Sequence, residues 1–174
     1  MRVALKASQE ALDAGEYPVT AVLVIDGEII EVLSNRNISH ASWGSHAESL
    51  ILQKHSSMIR EATKRLSLKE EMSGRIELYS TLEPCLMCLW TAVLHKVKRI
   101  VYSCPDPRGG VAKLVKPEQL TEFYQQRWPE IKGNVLWQDS YELITSYISR
   151  QPEDFWSAIL EAFKTMCLNQ EQST

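Results

Sequence analysis

The first part of the chain changes from a helical to a strand-like pattern of apolar residues. Residues 3–14 carry apolar side chains at helical spacing, and Gly15 follows them as a typical residue at a helix C-terminus. Two β-rich runs, 19–25 and 28–33, are joined by Asp26-Gly27, which is a strong signal for a two-residue hairpin turn. We therefore expect a helix followed by a β-hairpin.

Helical and strand-like segments continue to alternate along the rest of the chain. The pattern predicts strands over 75–80 and 99–103 on either side of a helix that begins at Pro84, and such a crossover implies a parallel pair. It also predicts helices over 117–127 and 141–149 and a short strand over 134–137. The predicted fold is an α/β domain of three layers, α/β/α, with a central mixed sheet.

Two segments lie outside this regular alternation. The mixed-charge stretch 56–74 is typical of a solvated helix and linker. Residues 152–168 form an amphipathic helix whose apolar stripe includes Phe155, Ile159 and Phe163, and a polar tail follows over 169–174. This last helix either docks on its own domain or covers the pocket of a neighbouring subunit. The predicted organisation is one domain over 1–150 and a C-terminal amphipathic helix and tail over 151–174.

Composition limits the class of protein. With 174 residues, 44% of them hydrophobic and 24% charged, the chain has the composition of a globular domain with a sizeable core. Its four cysteines are too few for a disulfide framework, which indicates a reducing compartment. No apolar run is long enough for a membrane span, and no signal segment is evident, so we expect a cytoplasmic protein. A net charge of -3 is not typical of a general nucleic-acid binder.

Two short strings carry the candidate chemistry, His46-Ala47-Glu48 and Pro84-Cys85-Leu86-Met87-Cys88. Together they offer one imidazole and two thiolates to a zinc ion, one ion per chain. Three protein ligands leave the fourth tetrahedral position open, which is typical of a catalytic zinc site. Two thiolates balance the charge of Zn²⁺, and a bound water can still lose a proton near neutral pH. Glu48 is then the carboxylate that moves protons.

The local sequence favours these roles. Cys85 and Cys88 are spaced i, i+3, so both sulfurs lie on one face if the segment begins a helix, and Pro84 suits the first helical position. The positive end of the helix dipole lowers the pKa of a thiol placed there. His46 also precedes an apolar run typical of a helix, so we expect both ligand sets at helix N-termini.

Other interpretations of the cysteines stay open at this point. A CxxC pair can be a redox pair, but that role leaves His46 and Glu48 unexplained. It can also be half of a structural zinc site, with Cys104, Cys167 or a further histidine as the fourth ligand. A zinc-stabilised interaction module is the alternative outside enzymology.

The string Thr81-Leu82-Glu83-Pro84-Cys85-Leu86-Met87-Cys88, with His46-Ala47-Glu48, resembles the signature of the zinc-dependent cytidine/deoxycytidylate deaminase superfamily. The likeness is greatest to the branch of tRNA adenosine deaminases, guanine deaminases and related cytosine deaminases, and it runs over about residues 1–150. It implies a cytidine-deaminase-like catalytic domain in which His46, Cys85 and Cys88 bind zinc. In this resemblance Glu48 is the general acid/base.

The resemblance also implies a substrate site and a reaction. Asn35 matches a position that hydrogen-bonds the substrate base, and Glu83 matches a position whose backbone carbonyl lines the site. Asp106 matches an acidic residue near a substrate ribose, although a purely structural role in a Pro-Asp-Pro turn is also open. Trp43 either stacks on the base or packs in the core. The implied reaction is hydrolysis of the exocyclic amine of a nucleobase or nucleoside, with release of ammonia.

Departures from the family pattern bear on the substrate. Thr20 and Trp90 stand where relatives usually carry small residues, and the excess of acidic residues and the polar tail argue against RNA. We therefore expect a free base or nucleoside as substrate, with A-to-I editing by a tRNA adenosine deaminase as the alternative. Similar enzymes are commonly dimers, so we also expect a homodimer and no membrane partner.

Overall fold

The computed structural model describes residues 1–64, 76–112, 114–152 and 154–171. Helix α1 (Arg2–Asp13) precedes a hairpin of strands β1 (Thr20–Ile25) and β2 (Glu28–Ser34). Asp26 and Gly27 have φ values of 52° and 85°, the left-handed values that a tight two-residue turn needs. The predicted helix and hairpin are confirmed.

The remaining helices and strands follow in chain order. They are α2 (Ala47–Lys54), α3 (Ser56–Lys64), β3 (Ile76–Leu82), α4 (Leu86–Leu94), β4 (Arg99–Cys104), a 3₁₀ turn at Pro117–Gln119, α5 (Glu122–Gln125), β5 (Glu130–Lys132), α6 (Trp137–Ile148) and α7 (Asp154–Glu171). Within the described ranges, no helix combines the length and the apolar character needed to cross a membrane.

In the described part of the chain, the strands form one five-stranded sheet in the order β2-β1-β3-β4-β5. Strand β1 is antiparallel to both β2 and β3, whereas β4 is parallel to both β3 and β5. Helix α4 makes the crossover between β3 and β4, as the sequence predicts. The sheet is therefore mixed, and its parallel half carries the Cys85-containing turn.

Apolar side chains cover both faces of the sheet. On one face, Leu23 and Leu78 pack with Ile51 of α2 and Leu89 of α4. On the other face, residues of α1, α6 and α7 form further clusters with the sheet; their buried members include Ala4, Leu12, Ile144 and Phe163. The predicted three-layer α/β/α architecture is confirmed.

Two local predictions are wrong. A single helix over 117–127 does not form, because Leu120 and Thr121 have extended backbone angles and Thr121 begins the separate helix α5. A strand over 134–137 does not form either, because Asn134 and Leu136 adopt left-handed φ values of 63° and 56°. The strand lies at Glu130–Lys132 instead, where it pairs with β4.

The two segments set apart by sequence are partly described. The first part of the charged stretch is helix α3, and residues 65–75 lie outside the described part of the chain. Helix α7 packs on α6 of its own chain through the buried Phe163, while residues 172–174 of the polar tail are not described. The division into 1–150 and 151–174 stays a prediction.

Candidate metal and catalytic site

The candidate zinc ligands lie at two helix N-termini on the same face of the sheet. His46 is the N-cap residue of α2, and Cys85 is the N-cap residue of α4. Cys88 follows in the first turn of α4 and is fully buried. Strand β3 leads directly into this turn, so the sheet determines where the cysteines lie relative to His46.

The three ligand atoms converge on one point. His46 Nδ1 lies 3.5 Å from Cys85 Sγ and 3.5 Å from Cys88 Sγ, and all three atoms lie within 4.8 Å of one another. Tetrahedral bonds of about 2.0–2.1 Å from zinc to nitrogen and about 2.3 Å to sulfur separate such atoms by roughly 3.5 Å. His46, Cys85 and Cys88 are therefore positioned to hold zinc, as predicted.

Neighbouring groups shift the pKa values of the two cysteines and orient the His46 ring. The pKa of Cys85 is lowered to about 4, because Cys88 donates a hydrogen bond to it and His46 lies beside it. The same hydrogen bond, together with burial, raises the pKa of Cys88. The His46 ring also hydrogen-bonds the backbone of Trp43, and a ligand histidine held in this way keeps one ring orientation.

Glu48 lies beside the ligands in a buried position. Its Oε1 accepts a hydrogen bond of 3.0 Å from Ser80 Oγ, and its Oε2 lies 3.6 Å from Cys88 Sγ. Burial raises the pKa of this carboxyl group, while Ser80 and His46 favour its charged form. A carboxyl group in such a place can accept a proton from a water near the ligands and deliver it to a substrate.

Asn35 follows β2 and is held close to the His46 turn. Its backbone N–H donates to Val19 O at 2.7 Å, and the next residue, Arg36, donates to Ser45 O at 3.0 Å. Asn35 is buried, and its Nδ2 has no hydrogen-bond partner among the described residues. A buried amide without a partner is costly in free energy, so this group is available to a ligand. Base binding by Asn35 stays a prediction.

Glu83 and Asp106 organise the loop that follows β4. The Glu83 carboxylate accepts hydrogen bonds from Asp106 N at 3.2 Å and Ala112 N at 3.0 Å. The Asp106 carboxylate accepts from Arg108 N at 2.9 Å and from the next backbone N–H at 3.0 Å. Asp106 therefore has the turn role that the sequence left open. Contacts of either residue with substrate stay predictions.

The other residues singled out by sequence have varied positions. Trp43 is 91% exposed, so its core-packing alternative is wrong, and stacking on a base stays a prediction. Thr20 is buried and its hydroxyl group hydrogen-bonds Ser34 Oγ at 2.8 Å.

Trp90 packs against Tyr124 and Trp128, with ring centroids 5.7 Å and 6.0 Å away. This large side chain thus packs α4 against the segment around α5.

The alternative of a four-ligand structural zinc site has no support in the described part of the chain. The cluster of metal-binding side chains there consists of His46, Cys85 and Cys88. Cys104 is buried and its Sγ lies 3.3 Å from the backbone oxygen of Pro105, outside this cluster. The fourth position is thus left to water or substrate, as in catalytic sites.

Sequence reasoning missed two side chains at this site. Ser80 contacts Glu48, and Ser49 Oγ lies 3.5 Å from Cys88 Sγ. The signal for Ser80 is its position in β3, where it follows Ile76 and Leu78 on the face that packs against α2 and α4. A serine in such an aliphatic row needs a polar partner.

Comparisons with known proteins agree with this geometry. The family model of the cytidine and deoxycytidylate deaminase zinc-binding region matches residues 1–104. The chain is 39% identical to the tRNA-specific adenosine deaminase of Bacillus subtilis (strain 168) over 151 residues, which are 84% of this chain and 85% of that protein. It is 37% identical to the enzyme of the same name from Aquifex aeolicus (strain VF5) over 115 residues, 66% of this chain and 70% of that one.

Solved structures with similar folds include two enzymes of known activity. A tRNA:A34 deaminase from a study of A-to-I editing at the wobble position superposes with a TM-score of 0.58 and 30% identity, covering 82% of this chain and 96% of that one. Guanine deaminase from Nitrosomonas europaea superposes with a TM-score of 0.60 over 83% of this chain and 80% of that one. Its identity is 18%, so this second likeness concerns the fold alone.

Proposed function

Because the chain belongs to the zinc-dependent cytidine and deoxycytidylate deaminase family, and is a zinc-dependent deaminase, we propose that it converts adenosine in tRNA to inosine. One observation carries the choice of substrate. The 39% identity to the tRNA-specific adenosine deaminase of Bacillus subtilis extends over 85% of that protein, far beyond the zinc ligands. The ranking of tRNA below a free base or nucleoside is therefore not supported.

Net charge is a poor guide to this substrate, because it averages over the whole surface. Arg36 is exposed on the loop before His46, and Arg108 is exposed on the loop that pairs with Cys85. His40 is exposed on the first of these loops as well. Cationic side chains beside the zinc ligands suit the phosphates of an RNA that brings one base to the site.

The proposed roles follow the geometry. His46, Cys85 and Cys88 would hold zinc, which when bound lowers the pKa of a water so that it can lose a proton and act as a nucleophile at neutral pH. Glu48 accepts the proton of the attacking water and delivers it to the adenine ring nitrogen. A second transfer protonates the amine, which leaves as ammonia, so adenosine and water yield inosine and ammonia. Asn35 offers its unpaired buried amide to the base.

The assembly and compartment are part of the proposal. Helix α4 exposes apolar side chains at both ends, at Leu86 and Met87 beside the zinc ligands and at Leu94 at its C-terminus, which suits a contact with a second copy of the chain. The proposed state is a homodimer in the cytoplasm. Sedimentation of the zinc-loaded protein tests the dimer, and a monomer at micromolar concentration would contradict it.

A substrate panel tests the proposed function. The zinc-loaded protein is incubated with a tRNA transcript carrying adenosine at the wobble position, with the same transcript carrying guanosine there, and with free adenine, adenosine, guanine and cytosine. We expect ammonia release and inosine from the first transcript only. Release from a free base without activity on tRNA would overturn the proposed substrate. Absence of release from every member of the panel would overturn the enzyme assignment.

A further inference from the structure

The general acid/base has a partner on the neighbouring strand. Ser80 Oγ donates a hydrogen bond of 3.0 Å to Glu48 Oε1, and both side chains are buried. We propose that Ser80 is a positioning residue that holds the Glu48 carboxylate in its working orientation. This inference rests on the proposed role of Glu48 in proton transfer.

Ser80 stands where an aliphatic residue is expected. Its face of β3 packs in the cluster formed by α2 and α4, to which Ile76 and Leu78 contribute. A hydroxyl group buried at such a position costs free energy unless it is hydrogen-bonded. Packing alone would favour valine or isoleucine in a central strand. The serine is explained by its bond to Glu48.

The hydrogen bond has a defined direction. The backbone N–H of Leu82 donates to Ser80 Oγ at 3.4 Å, so the single hydroxyl proton of Ser80 is free to be donated to Glu48. The strand itself is held on both sides, since Ser80 pairs with Ala21 in β1 and with Tyr102 in β4. The donor is therefore attached to the central strand of the sheet, which is paired on both sides.

The hydrogen bond from Ser80 occupies one carboxylate oxygen of Glu48 and leaves the other for proton transfer. With Oε1 held by Ser80, Oε2 is the oxygen that faces Cys88, at 3.6 Å, and hence the zinc ligands. In the zinc-loaded protein Cys88 is a thiolate and has no proton to donate. Among the described residues, the carboxylate then keeps the side-chain hydrogen bond from Ser80 and a hydrogen bond from the backbone of Glu48 itself. Without Ser80, Oε1 loses its side-chain donor, and the carboxylate is held less firmly in the orientation that faces the zinc ligands.

The first test removes the hydroxyl group. In Ser80→Ala, we expect one zinc per chain, an unchanged KM for the tRNA transcript, and a kcat lowered by about tenfold to a hundredfold, the effect of one lost hydrogen bond to a charged group. Ser103→Ala is the matched control, because Ser103 is a buried serine of the adjacent strand whose Oγ donates to Leu136 O at 2.8 Å. The control should keep its kcat within about twofold. Equal kcat values for Ser80→Ala and the wild type would overturn the inference.

A second pair of variants separates the hydroxyl group from side-chain volume. Ser80→Thr keeps the hydroxyl group, whereas Ser80→Val has a methyl group in its place. The threonine and valine side chains have nearly the same shape, so the two variants differ in the hydrogen bond and not in volume. We expect kcat to be higher in the threonine variant than in the valine variant by about tenfold or more. Similar kcat values for the two variants would mean that volume, rather than the hydrogen bond, matters at this position.

A double-mutant cycle with Glu48→Gln links the effect to Glu48. Once the carboxylate has been replaced, the additional Ser80→Ala change should lower kcat by less than about twofold, because the two residues act as a unit. A full additional loss would contradict the inference. If Glu48→Gln alone keeps its activity, the proposed role of Glu48 in proton transfer fails, whereas loss in Glu48→Gln with none in Ser80→Ala overturns only the role of Ser80. Failure of the proposed function is a separate outcome, seen when the wild-type protein forms no inosine in the tRNA transcript.

Discussion

Gly110 is the residue at which the structure allows the sharpest prediction. It forms an isolated bridge with the zinc ligand Cys85, and its Cα lies against the Glu83 carboxylate. A Cβ placed on Gly110 would lie 2.5 Å from Glu83 Oε2 and 2.7 Å from the backbone oxygen of Asp106. Neither atom can move freely, because one is backbone and the other accepts the hydrogen bond from Asp106 N. Gly110→Ala must therefore displace the loop.

The cost can be worked from these contacts. Overpacking a tight site costs about 1–3 kcal/mol, and weakening a hydrogen bond to a buried carboxylate adds about 1.5–3 kcal/mol if it is lost. With partial relaxation we expect the free energy of unfolding to fall by about 2–4 kcal/mol, which lowers Tm by roughly 5–15 °C in a domain of this size. Because the loop pairs with Cys85, the variant should also bind zinc more weakly.

Urea unfolding of the zinc-loaded protein and a competition titration with a chelator measure the two effects. Gly44→Ala is the matched control, since the nearest atom to its added Cβ is Ser42 Oγ at 4.0 Å. The control should change stability by no more than about 1 kcal/mol. If Gly110→Ala unfolds at the same urea concentration as Gly44→Ala and binds zinc equally well, the hydrogen bonds from the loop to Glu83 do not contribute to stability or zinc binding.

Four further predictions concern the ligands, the proton carrier and the RNA contacts. Cys88→Ala should abolish stoichiometric zinc binding, measured by atomic absorption, while Cys104→Ala should keep it, because Cys104 lies outside the ligand cluster. Glu48→Gln should retain zinc but lose about 10²–10⁴-fold in kcat for inosine formation; a fully active variant would contradict its role. Arg108→Ala should weaken binding of the tRNA transcript. It should also make the slope of log K against log[salt] less steep by about one, as expected for the loss of one phosphate contact, and an unchanged slope would exclude that contact. Trp43→Ala should raise KM for the transcript by about tenfold with little change in kcat, if the exposed ring stacks on a flanking base; Trp43→Phe should restore the lower KM.

Several features of the fold were predictable because they depend on neighbours in sequence. The Asp26-Gly27 turn, the helices that begin at the two ligand strings, and the parallel pair β3/β4 follow from turn chemistry and periodicity. Periodicity alone predicts a strand near residue 134, which is wrong because it does not define which residues pair with β4. In the structure, Glu130 N donates to Lys98 O at 2.8 Å, and this pairing determines the register.

The candidate site divides in the same way. The donor types at His46, Cys85 and Cys88 and the carboxylate at Glu48 are predictable from the chain alone, because ligand chemistry and the i, i+3 spacing are local properties. Three features depend on the packing of the folded chain: Ser80 hydrogen-bonds Glu48, Glu83 hydrogen-bonds the loop after β4, and Trp43 is exposed. These contacts join residues far apart in the chain, and their distances depend on how β3, β4 and the helices pack together.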